Sequence, residues 1–331
     1  MGDDLPAVPG ESAGLPTLSE AIANWLGFQL PSIPMPQTVK NVDKAVGQVL
    51  LAAGENAAAR IKANTGKQKA KGKIEIEGMY RTEEEKRKLE NRAASVKGAI
   101  DELNEKPSQQ DATQEIDDDW LNLYAKLAED KSSEELRSLF GKILAGEIRK
   151  PGTFSLRTLQ FVSALSREEA DKITNYFKFV LAAQAIPTFA EVDGDRFLTF
   201  QNRLLMHELG IVSSPSVMGG LEYTVQVKPS GKGVLLASDY AISIINNRDI
   251  LLEASFGCQA LTVTGQELYA IAATSLKAPV EYLKEVANLI YHQVRAAGSE
   301  GDLRLGNIKV EVVKLAGEAT ETVYTASGDD V

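Results

Sequence analysis

Apolar residues in this chain change their spacing near residue 190. Before that point they recur every three or four positions, as at Phe140, Ile143 and Leu144, which is the period of an amphipathic helix. Beyond it, Tyr223 and Val225 alternate with polar residues, which is the spacing of a strand. The sequence therefore predicts an α+β fold, with mainly helical N-terminal and central modules followed by a C-terminal α+β module that holds a small antiparallel sheet.

The length of 331 residues exceeds what one ordinary hydrophobic core holds and predicts several modules. Shifts in composition and period give their boundaries. We expect a disordered lead-in (1–16), an amphipathic helical arm (17–63), a charged linker and helix (64–115), a central helical module (116–188), the C-terminal α+β module (189–315) and a flexible tail (316–331).

Charge and cysteine content limit the compartment and the partners. The formal net charge of −10 disfavours nucleic acid unless basic residues are concentrated locally. The single cysteine, Cys258, cannot form an internal disulfide, and its apolar surroundings predict a buried thiol. The first residues are acidic and rich in proline, unlike a signal peptide, and no apolar stretch is long enough to cross a bilayer. We therefore expect a cytoplasmic protein.

Short polar motifs predict where several helices begin. Asp117–Asp119 can cap a helix that carries Trp120. A hydroxyl and a carboxylate three positions apart form a capping box, which fits Ser132 with Glu135, Ser166 with Glu169, and Thr264 with Glu267. A helix that ends at Leu209–Ile211 and is followed by two strands around the turn Pro229–Gly233 predicts a winged-helix-like unit.

Common catalytic motifs do not fit this sequence. His207-Glu208 begins a zinc-protease pattern, but Ile211 stands where the second histidine is needed. Gly231-Lys232-Gly233 lacks the residues of a phosphate-binding loop and predicts a hairpin turn instead. We expect neither a catalytic site nor a metal or cofactor. One alternative stays open, in which Glu191, Asp193 and Asp195 bind a metal ion for a hydrolase or nuclease; a solvated loop is the competing interpretation.

Residues 60–74 form a basic segment without any acidic residue. Its positive side chains are Arg60, Lys62, Lys67, Lys69, Lys71 and Lys73. Such a segment can contact the phosphates of nucleic acid or anionic lipid, but it is also typical of a solvated linker and has no aromatic residue to stack on bases. Together with the amphipathic helices before it, residues 17–74 give the alternative of an effector that acts at a membrane surface.

One sequence motif in the central module, which we call the family phrase, resembles the sequence of a known family. The pattern Leu-Ala-Gly-Glu-Ile at Leu144–Ile148 is followed by Pro-Gly-x-Phe-Ser-x-Arg-Thr-Leu at Pro151–Leu159 and then by Leu165-Ser166. Trp120 follows acidic residues, as a tryptophan does in the family. This resembles the bacterial family called domain of unknown function 2806, over roughly residues 80–275. Looser similarity to abortive-infection alpha proteins implies a role in phage defence.

The resemblance implies no reaction, so the motif residues have two interpretations. The candidates are Trp120, Glu147, Pro151, Gly152, Ser155 and Arg157. In the first interpretation they specify packing, with Arg157 bridging to Glu147 or Glu169. In the second, Glu147 and Arg157 face a partner or a ligand. We therefore expect a non-enzymatic binding or assembly protein that associates with itself or another protein through its first 60 residues.

Overall fold

A computed structural model describes residues 35–51, 83–107, 109–188, 198–213, 221–296, 308–316 and 319–326. The chain separates into two compact units, Met1–Ser163 and Ala164–Val331. The division lies inside the predicted central module of residues 116–188. It falls there because the helices before it pack with the N-terminal helices, whereas the helix after it packs with C-terminal elements.

Helices make up the described part of the first unit. They are α1 (Pro36–Leu51), α2 (Glu83–Glu105), α3 (Asp118–Ala128), α4 (Glu134–Arg149) and α5 (Leu156–Ala164), whose last residue lies beyond the division. Asp117 caps α3 by accepting a hydrogen bond from the Trp120 N–H at 2.9 Å, as predicted. Ser133, rather than the predicted Ser132, caps α4. The helix begins at Glu134, which is one residue later than a cap at Ser132 requires.

The helices α2 and α4 cross at a pair of glycines. A β-carbon built on Gly141 would lie 2.9 Å from the backbone carbon of Gly98, which is closer than real β-carbons approach. Around this crossing Val96 and Ile100 of α2, with Ile143 of α4, are fully buried. The absence of side chains at the two glycines thus lets the helix backbones approach closely.

The helix α1 packs on α2, α3 and α4 of the same unit. Val42, Val46 and Leu50 are spaced by four residues, which places them on one face of the helix, and they are buried there. This part of the predicted helical arm is therefore a component of the first core. Residues 17–34 and 52–63 of that arm lie outside the described residues.

The second unit combines helices and two antiparallel sheets. Its elements are α6 (Arg167–Phe177), β1 (Ala185–Pro187), α7 (Phe200–Glu208), β2 (Leu221–Val227), β3 (Lys232–Ala237), β4 (Tyr240–Asn246), β5 (Leu252–Ala260), α8 (Val263–Ala272), α9 (Val280–Ala296), β6 (Ile308–Ala316) and β7 (Ala319–Thr325). The strand orders are β1-β5-β2 and β3-β4-β6-β7. The predicted α+β class is confirmed.

The two strands on either side of the Pro229–Gly233 turn do not pair with each other. β2 pairs along its whole length with β5, from Leu221 opposite Cys258 to Val227 opposite Leu252, whereas β3 pairs with β4. The expectation of one strand pair, or wing, around that turn is therefore wrong. The two strands therefore belong to different sheets, each paired with a strand further along the chain.

The helix α9 contacts a strand of each sheet, β5 and β6. Its side chains Leu283, Val286 and Ile290 are fully buried. The side-chain amide of Gln293 also donates to the Ser255 carbonyl at 2.7 Å and accepts from the Ser255 N–H at 2.7 Å. The helix α9 thus packs its buried side chains against both sheets.

Three further predictions concern the ends of elements and the end of the chain. Ser166 and Glu169 form the predicted capping box of α6. Thr262, rather than Thr264, caps α8, because the helix begins at Val263. The predicted flexible tail from residue 316 is wrong for residues 319–325, which form β7 because hydrogen bonds to β6 satisfy their backbone.

Candidate functional site

The family phrase lies at the turn between α4 and α5, and its acidic residue is buried. Glu147, in the last turn of α4, is only 1% exposed. One of its carboxylate oxygens accepts a hydrogen bond from the Gly152 N–H at 2.5 Å, and the other accepts from the Phe154 N–H at 3.0 Å. The carboxylate therefore pairs with backbone groups of the turn, which have no partner in a helix.

Glycines make the close approach of turn and helix possible. Gly152 has a φ of +83°, a conformation that side chains disfavour. A β-carbon on Gly146 would lie 2.6 Å from the Phe154 ring, so the ring packs directly on the α4 backbone. The buried Pro151 precedes Gly152 and closes the helix. Pro151 and Gly152 thus direct Phe154 back onto α4.

Trp120 fixes the other side of Phe154. Its indole N–H donates to the Phe154 carbonyl at 2.7 Å, and its ring stacks on Tyr124 with centroids 5.3 Å apart. The Tyr124 hydroxyl donates to the Phe140 carbonyl of α4 at 2.9 Å, and burial raises the pKa of that hydroxyl far above its ordinary range. These contacts join α3 to the α4–α5 turn.

The remaining motif residues lie at the start of α5. The Ser155 hydroxyl accepts from the Thr158 N–H at 3.2 Å and so caps the helix, as predicted. Arg157 is exposed. The bridge from Arg157 to Glu147 or Glu169 stays a prediction. Of the six candidates, Trp120 and Glu147 hydrogen-bond to Phe154, Pro151 and Gly152 form the turn before it, and Ser155 caps the helix after it.

A residue that the sequence analysis missed connects α1 to this turn. The Asn41 side-chain amide donates to the carbonyls of Gln114 at 3.1 Å and Ile148 at 3.3 Å, and its oxygen accepts from the Ile116 N–H at 3.3 Å. Asn41 is fully buried among the apolar residues of α1. In the sequence, Asn41 lies beside the apolar residues Val39 and Val42. A polar residue at such a position was the signal that could have indicated a buried hydrogen-bonding role.

Asp111 holds the N-terminus of α1 from outside the helix. Its carboxylate accepts from the Thr38 N–H at 2.9 Å, the Thr38 hydroxyl at 3.1 Å and the Gln37 N–H at 3.2 Å. The backbone hydrogen bond from Thr38, followed by the other donors, lowers the pKa of Asp111 below its ordinary value. A side chain more than 70 positions away in the sequence thus provides the cap.

A second polar cluster surrounds the C-terminal end of α3. Asn91 donates to the Glu129 carbonyl at 2.7 Å and accepts from the Arg137 guanidinium, and Arg92 pairs with the Glu129 carboxylate. Lys88 lies 3.3 Å from the same carboxylate. Arg92 is buried, and two of its guanidinium nitrogens have no hydrogen-bond partner among the described residues. The cluster joins α2 and α4 to the end of α3.

The two histidines and the cysteine belong to separate elements of the second unit. His207 and His292 belong to different helices, α7 and α9. Cys258 is buried on β5, and burial raises the pKa of its thiol. Within the described ranges, no group of three or more His, Cys, Asp or Glu residues has the arrangement of a metal site. Glu191, Asp193 and Asp195 and the whole basic segment of residues 60–74 lie outside the described residues.

None of the helices in the part of the chain that the structure describes is long and apolar enough to cross a membrane. This agrees with the hydropathy of the sequence.

Comparison with known proteins gives a match for one part of the chain. No curated protein and no solved structure matches it significantly. The family model described as protein of unknown function (DUF2806) matches residues 80–189. This range contains the buried Glu147, the turn around it and Trp120, so the expected resemblance is confirmed there. Residues 80–189 of this chain are therefore similar to the DUF2806 family.

Proposed function

We propose that this is a non-enzymatic binding and assembly protein of the bacterial cytoplasm that serves phage defence. The observation that supports a non-enzymatic role is the position of Glu147. It is the one acidic residue of the family phrase, and its carboxylate is buried and hydrogen-bonded to the Gly152 and Phe154 N–H groups. A general acid or base must reach a substrate, which this carboxylate does not.

The binding segment in this proposal is the N-terminal region. The sequence predicts assembly through the first 60 residues. Because Val42, Val46 and Leu50 of α1 are buried in the first unit, they are not available to a partner or a membrane. We therefore assign the association to residues 1–34, with the basic segment of residues 60–74 as a second contact.

The test compares the full chain with a chain that begins at Met35. The second chain keeps α1, whose removal would open the first core. Static light scattering over a range of concentrations should give a higher mass for the full chain than for the shortened one. Equal masses at every concentration would contradict the proposal.

The same light-scattering experiment, repeated with anionic vesicles, tests a membrane contact through the basic segment. Anionic vesicles at low salt would then bind the full chain, and substituting Gln for Arg60, Lys62, Lys67, Lys69, Lys71 and Lys73 would abolish that binding. Vesicle binding without self-association would replace the assembly proposal by the membrane-surface alternative.

A further inference from the structure

Arg92 carries a positive charge into the interior of the first unit. The residue is only 4% exposed, and its guanidinium pairs through Nη2 with the Glu129 carboxylate. The other two nitrogens, Nε and Nη1, are enclosed by protein and have no hydrogen-bond partner in the described part of the chain. A buried N–H group without an acceptor is costly, and more so on a charged group. These two nitrogens therefore favour an additional acceptor beside Arg92.

The charges around Arg92 do not balance. Glu129 is the acidic partner of both Arg92 and Lys88, whose Nζ lies 3.3 Å from the same carboxylate. Arg137 brings a third positive charge to the cluster through a side-chain hydrogen bond to α2. Glu84 lies 3.5 Å from Lys88, but it is 70% exposed and acts on the solvent side. The described ion pairs thus leave a net positive charge next to the enclosed nitrogens.

The three cations of this cluster keep their charge at neutral pH. A guanidinium is not deprotonated in proteins, which applies to Arg92 and Arg137. The hydrogen bond to Glu129 raises the pKa of Lys88 above its ordinary value. A water molecule at Arg92 would accept a hydrogen bond but leave the excess charge in place. An anion supplies both the acceptor and the missing negative charge.

We propose that this cluster binds a small monovalent inorganic anion, of the size of chloride, which accepts a hydrogen bond from Nε or Nη1 of Arg92. The enclosure of both nitrogens limits the size of the ligand, because a phosphate or an organic carboxylate needs an open approach. The anion stabilises the junction of α2 with the end of α3 and the start of α4. This site is separate from the assembly assigned to residues 1–34 and does not depend on it.

Thermal unfolding of the full chain at constant ionic strength tests the proposal. Sodium gluconate, whose anion is too large for an enclosed site, is replaced stepwise by sodium chloride. An anion that binds only the folded state raises the ratio of folded to unfolded protein about elevenfold at roughly ten times its Kd. We therefore expect the Tm of the wild type to rise as chloride replaces gluconate.

Two matched substitutions on α2 separate this site from general salt effects. Arg92→Lys keeps a positive charge beside Glu129 but removes the N–H groups of Nε and Nη1, so the chloride dependence of the Tm should disappear. Arg87→Lys makes the same change at an exposed position of the same helix and should retain the chloride dependence.

A crystal of the full wild-type chain grown in sodium bromide locates the anion even if Arg92→Lys does not fold. Bromide scatters anomalously, which distinguishes it from water, and we expect an anomalous peak in contact with Nε or Nη1 of Arg92. Four results would overturn the proposal: a water at that position, anomalous peaks only at exposed cations, a wild-type Tm that ignores chloride, or equal chloride dependence in wild type and Arg92→Lys.

Discussion

Glu147 shows how a single residue acquires a role that its type does not reveal. A glutamate near the end of a helix is ordinarily solvated, and in the sequence it is equally consistent with a partner-facing role. Its burial follows from the turn after it, which brings the Gly152 and Phe154 N–H groups to its carboxylate. The interpretation that Glu147 faces a partner is therefore wrong.

Replacing the carboxylate by an amide tests this role. Glu147→Gln turns an NH₂ group toward one of the two backbone N–H donors, which then loses its acceptor. Since an unsatisfied buried group costs about 1–3 kcal/mol, we expect the free energy of unfolding to fall by that amount. Urea denaturation followed by circular dichroism measures it. The exposed Glu90 on α2 provides the control Glu90→Gln, and equal effects of the two substitutions would disprove the role.

Asp111 makes the docking of α1 depend on pH. Its pKa is lowered in the folded state, first by the Thr38 N–H. A depressed carboxyl pKa adds stability that is present above the ordinary value of 3.8 and lost as the pH falls through the lower folded value. The stability difference between wild type and Asp111→Asn should therefore shrink as the pH is lowered from neutrality to below 3.8.

Denaturation curves at several pH values give this difference. Asp101→Asn, at an exposed position of α2, is the control and should leave the pH dependence unchanged. A constant difference between wild type and Asp111→Asn at all pH values would show that the carboxylate charge does not hold α1.

At the scale of elements, the ends of helices were predictable to within one or two residues. The capping box at Ser166 and Glu169 formed where the sequence placed it, but α4 and α8 are capped one and two residues away from the predicted caps, by Ser133 and Thr262. Adjacent hydroxyl residues cap equally well by themselves. Which of them is used depends on the helix phase that buries the apolar face.

The crossing of α2 and α4 yields a prediction from a matched pair of glycines. Gly141→Ala places a β-carbon 2.9 Å from the Gly98 backbone, so it should destabilise the first unit by about 1–3 kcal/mol or more. Gly98→Ala meets its nearest atom at 3.7 Å and removes a helix-disfavouring glycine, so it should be neutral or stabilising by up to about 1 kcal/mol. Thermal unfolding distinguishes them, and the reverse order would refute the close crossing.

For the whole molecule, the main finding is that α1 belongs to the first core despite the residues 52–82 that separate it from α2. Each fully buried aliphatic side chain contributes about 1.5–3 kcal/mol. A chain that begins at Glu83 should therefore lose several kcal/mol of stability in its first unit. Hydrogen exchange of the α4 amides should accelerate in that chain and not in one that begins at Met35; identical exchange would contradict this.

The sequence by itself determined the fold class and many of the helices and strands. Helical spacing in Leu136–Ile148, alternation in Tyr223–Val227 and the punctuation at Pro151 and Gly210 arise from neighbours within a few residues, so they can be read locally. The family phrase was also local, and the turn at Pro151 and Gly152 and the helix cap at Ser155 followed from its residue types.

Only the tertiary structure decided which elements meet. The pairing of β2 with β5, the inclusion of β7 in the second sheet, the cap that Asp111 supplies to α1 and the burial of Glu147 all depend on contacts that local spacing does not encode. The choice among them is made by burial and backbone hydrogen bonding over the whole unit, which select one closed arrangement of the same elements.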